Sequence, residues 1–341
     1  MGTKRQLGRG LAGLVVVALM ATACGTSAKP VTSARASTPQ TPSVAKTAQR
    51  LFPNGITLVA NLPPGGVTYT DGEAVQPFLQ KVLGVPVTVR PVVGGGGNTA
   101  AQYVYAAPAG SGTLMMAYLP QLAIGGLVGH GSYKILDYTP LAGMFGDDTS
   151  IYVAKRGSPF KDFSSLQRAT STITIGVFGV KSSSGWMSAQ FLSKLNHIKT
   201  TTVPYKNAAA EVDAVLSGAV DLASITRAQA IPYIAEGRVQ PVLQFAPKPL
   251  SYLPGTDAIG QVASPKESFY NLGGVVGPPH MPSAESKLLQ RALAEVAKDP
   301  AFQARAHSLA VVPSYQDATT WSASLHSAYS LVKSHLGVLT G

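Results

Sequence analysis

Short apolar runs alternate with amphipathic segments along most of the chain. The run Ile56–Ala60 is followed by turn residues at Pro63–Gly66, and apolar residues then recur three and four apart from Val75 to Leu83. This pattern predicts a strand, a glycine-rich turn and a helix. The following segments have the same character and predict strands at 85–89 and 113–118 with a helix at 99–106 between them.

The second half of the chain repeats this order. Ile173–Val177 predicts a strand, Gly179–Gly185 a loop and Trp186–Leu195 a helix. The remaining predicted strands and helices are 200–205, 220–224, 239–244 and 272–276, and 208–216, 286–298 and 318–336, with Asp317 as the last N-cap. Strands that alternate with helices in this way predict an α/β fold, in which mixed, mostly parallel sheets are flanked by helices.

The length and the cysteine count limit how this body is organised. Residues 51–341 exceed the usual size of one domain and suit two lobes. Cys24 is the only cysteine, so no disulfide can form within the chain. The fold must therefore be stabilised by its apolar core.

The N-terminus has the pattern of an export signal. Lys4, Arg5 and Arg9 precede the apolar stretch Leu11–Met20, which is too short for a comfortable membrane span. Small residues then lead to Cys24, an order that resembles the lipobox of bacterial lipoproteins, with Ala21 where leucine is usual. We predict a signal peptide at 1–23 and lipidation of Cys24. An ordinary cleaved signal with a free cysteine is the alternative.

Residues 24–50 are predicted to be a disordered tether. They are rich in Ser, Thr, Ala and Pro, and contain four basic and no acidic residues. The net charge of the chain is +11, but most of this excess lies in the signal and the tether. The basic residues of the body are scattered, so nucleic-acid binding is not expected.

Enzyme motifs are absent from the sequence. It contains no GxSxG, HExxH, CxxC or Walker pattern, and its six histidines have no metal-ligand spacing. Ser330–Lys333 fits SxxK only inside a helical pattern, and Gly94–Gly97 is interpreted as a simple turn. We therefore expect that the protein is not an enzyme and that it binds neither a metal ion nor a cofactor.

Two loops between a strand and a helix carry the strongest functional signal. Pro63–Asp71 combines glycines, which let a ligand approach the backbone, with the hydroxyls of Thr68 and Thr70. Gly179–Gly185 places three serines and Lys181 at a helix start. Each loop alone is also explained as a capped turn. As a pair, with one loop in each half, they suggest two sides of an anion-binding cleft.

A series of short motifs resembles one known family. The motifs, in chain order, are Ile56–Val59, Pro63–Gly66, Leu83–Val89, Gly94–Asn98, Ala106–Leu114, Asp137–Leu141, Phe160–Leu166, Ser182–Ser184, Val203–Lys206, Leu216–Asp221 and Gly277–Pro279. In order and spacing the chain resembles the substrate-binding proteins of tripartite tricarboxylate transporters, the Bug family. The likeness covers nearly the whole body.

The resemblance implies a two-lobed Venus-flytrap fold of the periplasmic-binding-protein type. Lobe 1 would comprise 51–152 plus 272–341, and lobe 2 would comprise 153–271. A small carboxylate would be held between them by backbone N–H groups and hydroxyls. The residues expected at this site are Gly65, Gly66, Val67, Thr68, Tyr69, Asp71, Lys181, Ser182, Ser183, Ser184, Tyr205, Lys206 and Thr226.

The chain also departs from the family pattern. The family's acidic loop residue falls on Tyr69, although Asp71 is two positions away and could replace it. Tyr69 could stack on an aromatic acid or could be a core or rim residue. The family's histidine after the serines is Gly185 here, and Pro77 is expected early in its helix. The family's general way of binding an anion is thus expected to apply to this chain more closely than the family's specificity-determining contacts.

The resulting functional hypothesis is a lipid-anchored, extracytoplasmic receptor for a small organic anion, either a di- or tricarboxylate or an aromatic acid. It would deliver the ligand to the large and small membrane subunits of a tripartite transporter. One alternative is a sensing receptor without a permease. A less favoured one is a hydrolase that uses Ser182–Ser184 with Lys181.

Overall fold

The structure is a computed structural model that describes residues 44–179 and 183–340. The predicted signal peptide, Cys24 and most of the predicted tether lie outside the described residues, as do Lys181 and Ser182. Within the described residues, no helix combines the length and the apolar character needed to cross a bilayer.

The secondary structure follows the predicted alternation of strands and helices. The strands are β1 Ile56–Ala60, β2 Val87–Pro91, β3 Thr113–Leu119, β4 Thr139–Asp148, β5 Ile151–Lys155, β6 Ile173–Phe178, β7 Thr200–Tyr205, β8 Leu222–Ile225, β9 Val239–Gln244, β10 Asn271–Gly277 and β11 Pro313–Gln316. The helices are α1 Val44–Leu51, α2 Val67–Leu83, α3 Asn98–Tyr105, α4 Gln121–Leu127, α5 Phe163–Gln167, α6 Ser184–Gln190, α7 Ala208–Ser217, α8 Arg227–Ala235, α9 Ile259–Val262, α10 Ser283–Lys298, α11 Pro300–Ser308, α12 Ala318–Ser334 and α13 Leu336–Thr340. The strands predicted at 56–60, 200–205 and 239–244 are confirmed at both ends.

The strands form two mixed sheets, which confirms the predicted fold class. The first has the order β11-β4-β10-β3-β1-β2 and the second has the order β7-β6-β8-β5-β9. Parallel pairing is confined to β1, β2 and β3 in the first sheet and to β6, β7 and β8 in the second. The other pairs are antiparallel, so the expected excess of parallel pairs holds for one part of each sheet only.

The antiparallel pairs have a topological cause. The chain leaves the first sheet at the end of β4 and enters the second in β5, and it returns between β9 and β10. The four strands that flank these two passages pair antiparallel with their neighbours, whereas the parallel strands are joined through helices. The exact bounds of the two lobes stay a prediction.

Apolar side chains fill the space between sheets and helices. Trp321 of α12 is fully buried, and its ring lies against Gly143 of β4 and Gly274 of β10, where a Cβ atom would come within 3.0 Å and 2.7 Å of it. The glycines thus allow α12 to pack closely on the first sheet. Tyr152 and Phe245, with ring centroids 5.1 Å apart, are buried in the same apolar cluster.

The end of the predicted tether is helical, which corrects the prediction of disorder up to residue 50. Helix α1 spans Val44–Leu51, with Ala48 buried in the same apolar cluster as Phe52, which follows the helix. Ala45 also packs against Gly84, where a Cβ would lie 3.1 Å from the Ala45 Cβ. The polar composition averaged over 24–50 concealed this short helical pattern of apolar residues.

Helix α2 begins at Val67, so Pro77 lies well inside it and not near its start. Proline has no N–H, and the carbonyl of Glu73 therefore lacks its usual intrahelical donor. The Nε of Arg305 in α11 donates a hydrogen bond to this carbonyl at 3.0 Å. The prediction that Pro77 lies early in the helix is thus wrong, and a side chain from another helix compensates for the missing N–H.

Candidate ligand-binding cleft

A cavity of about 590 Å³ lies between the two predicted loops. Its volume is in the range of small-molecule sites. One wall comes from residues 62–67 after β1, and the other comes from Ser183–Gly185, from 206–208 after β7 and from 224–226 at the end of β8. The ends of strands from both sheets therefore meet at one cavity, as open α/β sheets favour.

The first wall is built around the two glycines before α2. Gly65 has a φ of 84°, and a Cβ at Gly66 would lie 2.5 Å from the Leu62 Cβ, so both positions favour glycine. The Gly66 carbonyl accepts hydrogen bonds from the N–H groups of Tyr69 and Thr70. Within the described residues, the N–H groups of Val67 and Thr68 have no backbone acceptor, so this helix start can donate to an anion.

The second wall is built around the serine loop. Ser183 is the N-cap of α6, and its Oγ accepts a hydrogen bond from Trp186 N at 3.1 Å. Ser184 is half-buried and lines the cavity. The hydroxyl of Ser183 is thus engaged in capping, and Ser184 is the next residue of the loop that lines the cavity.

Ser224, near the end of β8, is a site residue that the sequence did not single out. Its side chain lines the cavity and is buried, and within the described part of the chain its Oγ has no hydrogen-bond partner. A Cβ at Gly185 would lie 2.9 Å from this Oγ. Glycine at 185, where the resemblance leads one to expect histidine, therefore avoids a steric contact with Ser224.

Polar residues at the cavity's edge complete the second wall. Lys206 is exposed and lines the cavity, so it supplies a positive charge in contact with solvent. Asn207 caps α7 by accepting from Ala210 N at 2.9 Å. Thr226 is the N-cap of α8, and its N–H donates to Gln229 Oε1 at 3.0 Å.

The cavity brings together only some of the residues that the sequence predicted. Those that line it are Gly65, Gly66, Val67, Ser183, Ser184, Lys206 and Thr226. Thr68 does not, because it is buried and its hydroxyl donates to Asn61 Oδ1 at 2.6 Å. Tyr69 is half-buried on α2 away from the lining, and the ring of Tyr205 lies against Gly176 of β6.

Asp71 lines a smaller pocket beside the cleft. This pocket has a volume of about 40 Å³ and also contains Asp148, Tyr118 and Asn271. Burial, followed by the charge of Asp148, raises the pKa of Asp71 well above its ordinary value. Burial also raises the pKa of Asp148 to about 6, against the lowering effect of its hydrogen bonds.

Three comparisons place this architecture among known proteins. A protein of Agrobacterium vitis, the UPF0065 protein in the TAR-I ttuE-ttuC' intergenic region, is 24% identical over 278 residues, which are 80% of each chain. An R. palustris protein with adipate has a TM-score of 0.71 at 19% identity, covering 84% of this chain and 97% of its own. MatC from Rhodopseudomonas palustris with bound malate has a TM-score of 0.68 at 20% identity, covering 84% and 98%.

These two structures share the fold of this chain. The family model of the tripartite tricarboxylate transporter family receptor, TctC, matches residues 73–325, which include the second wall of the cleft and every strand of the two sheets except β1, whereas the first wall, 62–67, precedes the matched range. The chain therefore belongs to the TctC family of tripartite tricarboxylate transporter receptors, which are solute-binding proteins.

Proposed function

We propose that the cleft captures a small organic carboxylate. The observation that carries this proposal is the presence of hydrogen-bond donors from both walls around one cavity. The donors are the N–H group of Val67, the hydroxyls of Ser184 and Ser224, and the ammonium group of Lys206. Hydrogen bonds to a carboxylate are stronger than those between neutral groups, which favours an anionic ligand here.

The remainder of the cavity suits a short carbon chain. Leu62, Val93, Phe178 and Ile225 contribute apolar surface to its walls. Two proteins of the same fold hold adipate and malate, which are small dicarboxylates. A carboxylate with a short aliphatic or aromatic body therefore agrees with both the polar and the apolar parts of the lining.

The cavity lining does not favour the hydrolase alternative. Within the described residues it contains no His, Asp or Glu that could act as a general base, its one lysine, Lys206, is exposed to solvent, and the Ser183 hydroxyl is already used to cap α6. We therefore propose binding without covalent chemistry. Turnover of generic esters that is lost in Ser184→Ala would contradict this part of the proposal.

We further propose that the receptor is anchored outside the cytoplasmic membrane through Cys24 and delivers its ligand to the membrane subunits of a tripartite transporter. The support is the family membership and the order of basic, apolar and small residues before Cys24. Labelling with a radioactive fatty acid in the producing cells, and its loss in Cys24→Ser, tests the anchor. Ligand uptake that requires both this protein and a neighbouring permease tests transport against sensing.

The binding proposal is tested best at the backbone of Val67. This is the first residue of α2, where proline fits a helix, and Gly66 has the extended ψ of 151° that suits a residue before proline. Val67→Pro thus removes one N–H from the cleft and leaves the helix intact. Val67→Ala is the matched control, because it shortens the side chain and keeps the N–H.

The protein is titrated with di- and tricarboxylates, and binding is measured by calorimetry and by the shift of the thermal unfolding midpoint. A ligand at about 100 times its Kd adds roughly 2.7 kcal/mol to the stability. We expect Val67→Pro and Ser224→Ala each to weaken binding about tenfold, as expected for a lost hydrogen bond to a charged group. Ser330→Ala, an exposed serine on α12, is expected to bind like the wild type. Val67→Ala is also expected to bind like the wild type, and equal affinity of the wild type and all four variants would overturn the assignment of the cleft.

A further inference from the structure

The small pocket beside the cleft lies at the passages between the two sheets. Asp148 ends β4 just before the chain enters the second sheet, and Asn271 begins β10 where the chain returns. Asp71 reaches the pocket from α2 and Tyr118 reaches it from β3. Each of these elements contributes one polar side chain to the same space.

Two of these side chains are buried without hydrogen-bond partners. Asp71 and Asn271 are each 1% exposed. Within the described residues, Asp71 Oδ1 and both amide atoms of Asn271 have no partner. Buried polar atoms in folded proteins are nearly always paired, and an unpaired one costs about 1–3 kcal/mol. Both residues line the pocket, so a bound cation can satisfy the two oxygen atoms, Asp71 Oδ1 and Asn271 Oδ1.

In contrast, both carboxyl oxygens of Asp148 accept hydrogen bonds. Its Oδ1 accepts from Thr149 N and Arg227 N, each at 2.8 Å, and its Oδ2 accepts from the Tyr118 hydroxyl at 3.1 Å. This arrangement stabilises the carboxylate form of Asp148. The carboxyl group of Asp71 shares the pocket with this buried carboxylate, and the Asp148 side of the pocket attracts positive charge.

The acids of the pocket lining are Asp71 and Asp148, and Tyr118 contributes a neutral phenol. Arg227 is the basic residue of the lining, and its guanidinium lies 4.1 Å above the centre of the Tyr252 ring. Burial and the charge of Asp148 raise the pKa of Asp71, which favours its neutral form. A cation that displaces the Asp71 proton therefore leaves the net charge of the buried pocket unchanged.

The size of the pocket restricts what can enter. A volume of about 40 Å³ has room for about three water molecules, so it excludes a whole organic ligand. Within the described residues, no three His, Cys, Asp or Glu side chains come together, so the pocket lacks the His and Cys ligands that transition metals prefer and offers a divalent ion only two carboxyl groups. A small monovalent cation with oxygen partners fits both observations.

We propose that this pocket binds one small monovalent cationic group, coordinated or hydrogen-bonded by the oxygen atoms of Asp71 and Asn271 beside Asp148. The group is either a free alkali ion or the ammonium group of a ligand in the cleft. The ammonium group of a ligand in the cleft can reach the pocket, because the pocket and the cleft share Val67, Tyr118 and Thr226 in their linings. Only this second source depends on the proposed function of the cleft.

The free-ion source is tested without any organic ligand. Thermal unfolding of the full mature protein is measured in sodium, potassium or choline chloride at equal ionic strength. Binding of an alkali ion raises the unfolding midpoint above its value in choline, because the ion binds only the folded state. Asp71→Asn and Asn271→Ala should each remove this difference. Asp213→Asn, which removes an exposed acid on α7, should retain it.

The ammonium source is tested in choline chloride with a matched pair of ligands. Aspartate and succinate differ by one ammonium group, so calorimetry on both isolates its contribution. An occupied pocket makes aspartate bind about tenfold more tightly than succinate, and Asp71→Asn and Asn271→Ala remove the preference while succinate binding stays within about twofold.

The outcomes separate the two proposals. An alkali effect without a preference for aspartate identifies the free ion, and the reverse result identifies the ligand's ammonium group. Wild-type protein that shows neither response overturns the pocket assignment, even where succinate binds well. If no carboxylate binds at all, the proposed function of the cleft fails, and the alkali measurement still decides on the pocket.

Discussion

The burial of Glu211 in α7 predicts that the stability of the protein depends strongly on pH. The Glu211 side chain is completely buried, and within the described residues neither carboxyl oxygen has a hydrogen-bond partner. Burial raises the pKa of this carboxyl group from its ordinary value of 4.5 to about 8. The folded protein therefore holds Glu211 in its neutral form at pH 7.

The sign of the effect follows from proton binding. Above pH 4.5 the unfolded chain releases the Glu211 proton, whereas the folded protein keeps it up to about pH 8. Across this window the folded state binds more protons than the unfolded state, so the stability falls as the pH rises. One pKa unit corresponds to about 1.4 kcal/mol, and the full difference corresponds to a loss on the order of 5 kcal/mol. Any hydration of the ionised group by local opening reduces this value.

Glu211→Gln removes this proton and keeps the shape of the side chain. At pH 5 we expect the free energy of unfolding of the variant to exceed that of the wild type by no more than about 1 kcal/mol, because both side chains are neutral in the folded protein and Glu211 has only begun to ionise in the unfolded chain. At pH 8.5 the variant should be more stable by several kcal/mol. Urea unfolding at half-unit steps from pH 5 to 9 measures the difference directly.

The matched control is Glu295→Gln, which changes an exposed carboxylate on α10. Its stability should run parallel to that of the wild type over the whole range. If Glu211→Gln also runs parallel to the wild type, Glu211 ionises freely in the folded protein, and the argument from its burial is wrong.

Three further predictions concern the cleft and its supports. Gly185→Ala should destabilise the protein by about 1–3 kcal/mol through contact with Ser224, and Ser224→Gly in the same chain should restore most of the loss in urea unfolding. Arg305→Ala should cost about 1 kcal/mol because it frees a carbonyl in α2, but almost nothing in a Pro77→Ala background, where an N–H becomes available. A double-mutant cycle measures this coupling. Phe52→Ala should cost about 3–5 kcal/mol, as for a buried aromatic side chain, whereas a loss under 1 kcal/mol would show that α1 is dispensable.

The sequence predicted the parts of the fold that depend on local patterns. Apolar runs such as Ile56–Ala60 and Val239–Gln244 gave strands with the correct ends, and Asp317 was correctly identified as the N-cap of α12, where it accepts from Thr320 N at 2.8 Å. The two loops were correctly placed between strands and helices. Their meeting at one cavity was inferred from the pairing of similar loops and from the family resemblance.

The parts that sequence reasoning missed depend on contacts between distant residues. Ser224 was seen only as the end of a strand, because its closeness to Gly185 arises from the pairing of β6 with β8. The compensation of Pro77 by Arg305 joins residues that are far apart in the chain, so no local pattern indicates it. The partnerless atoms of Asp71 and Asn271 were likewise invisible, since burial is a property of the folded protein.

The structure also changes which residues are candidates for setting ligand specificity. Tyr69, which the sequence offered as a specificity residue, does not line the cavity. Gly185 stands where the family resemblance suggests a histidine, and its close approach to Ser224 leaves little room for a side chain at this position. The hydroxyl of Ser224 can donate or accept and occupies less space than a ring. Under the proposed function, we expect ligand selection at this wall to depend on the length of the ligand and on its partner for Ser224.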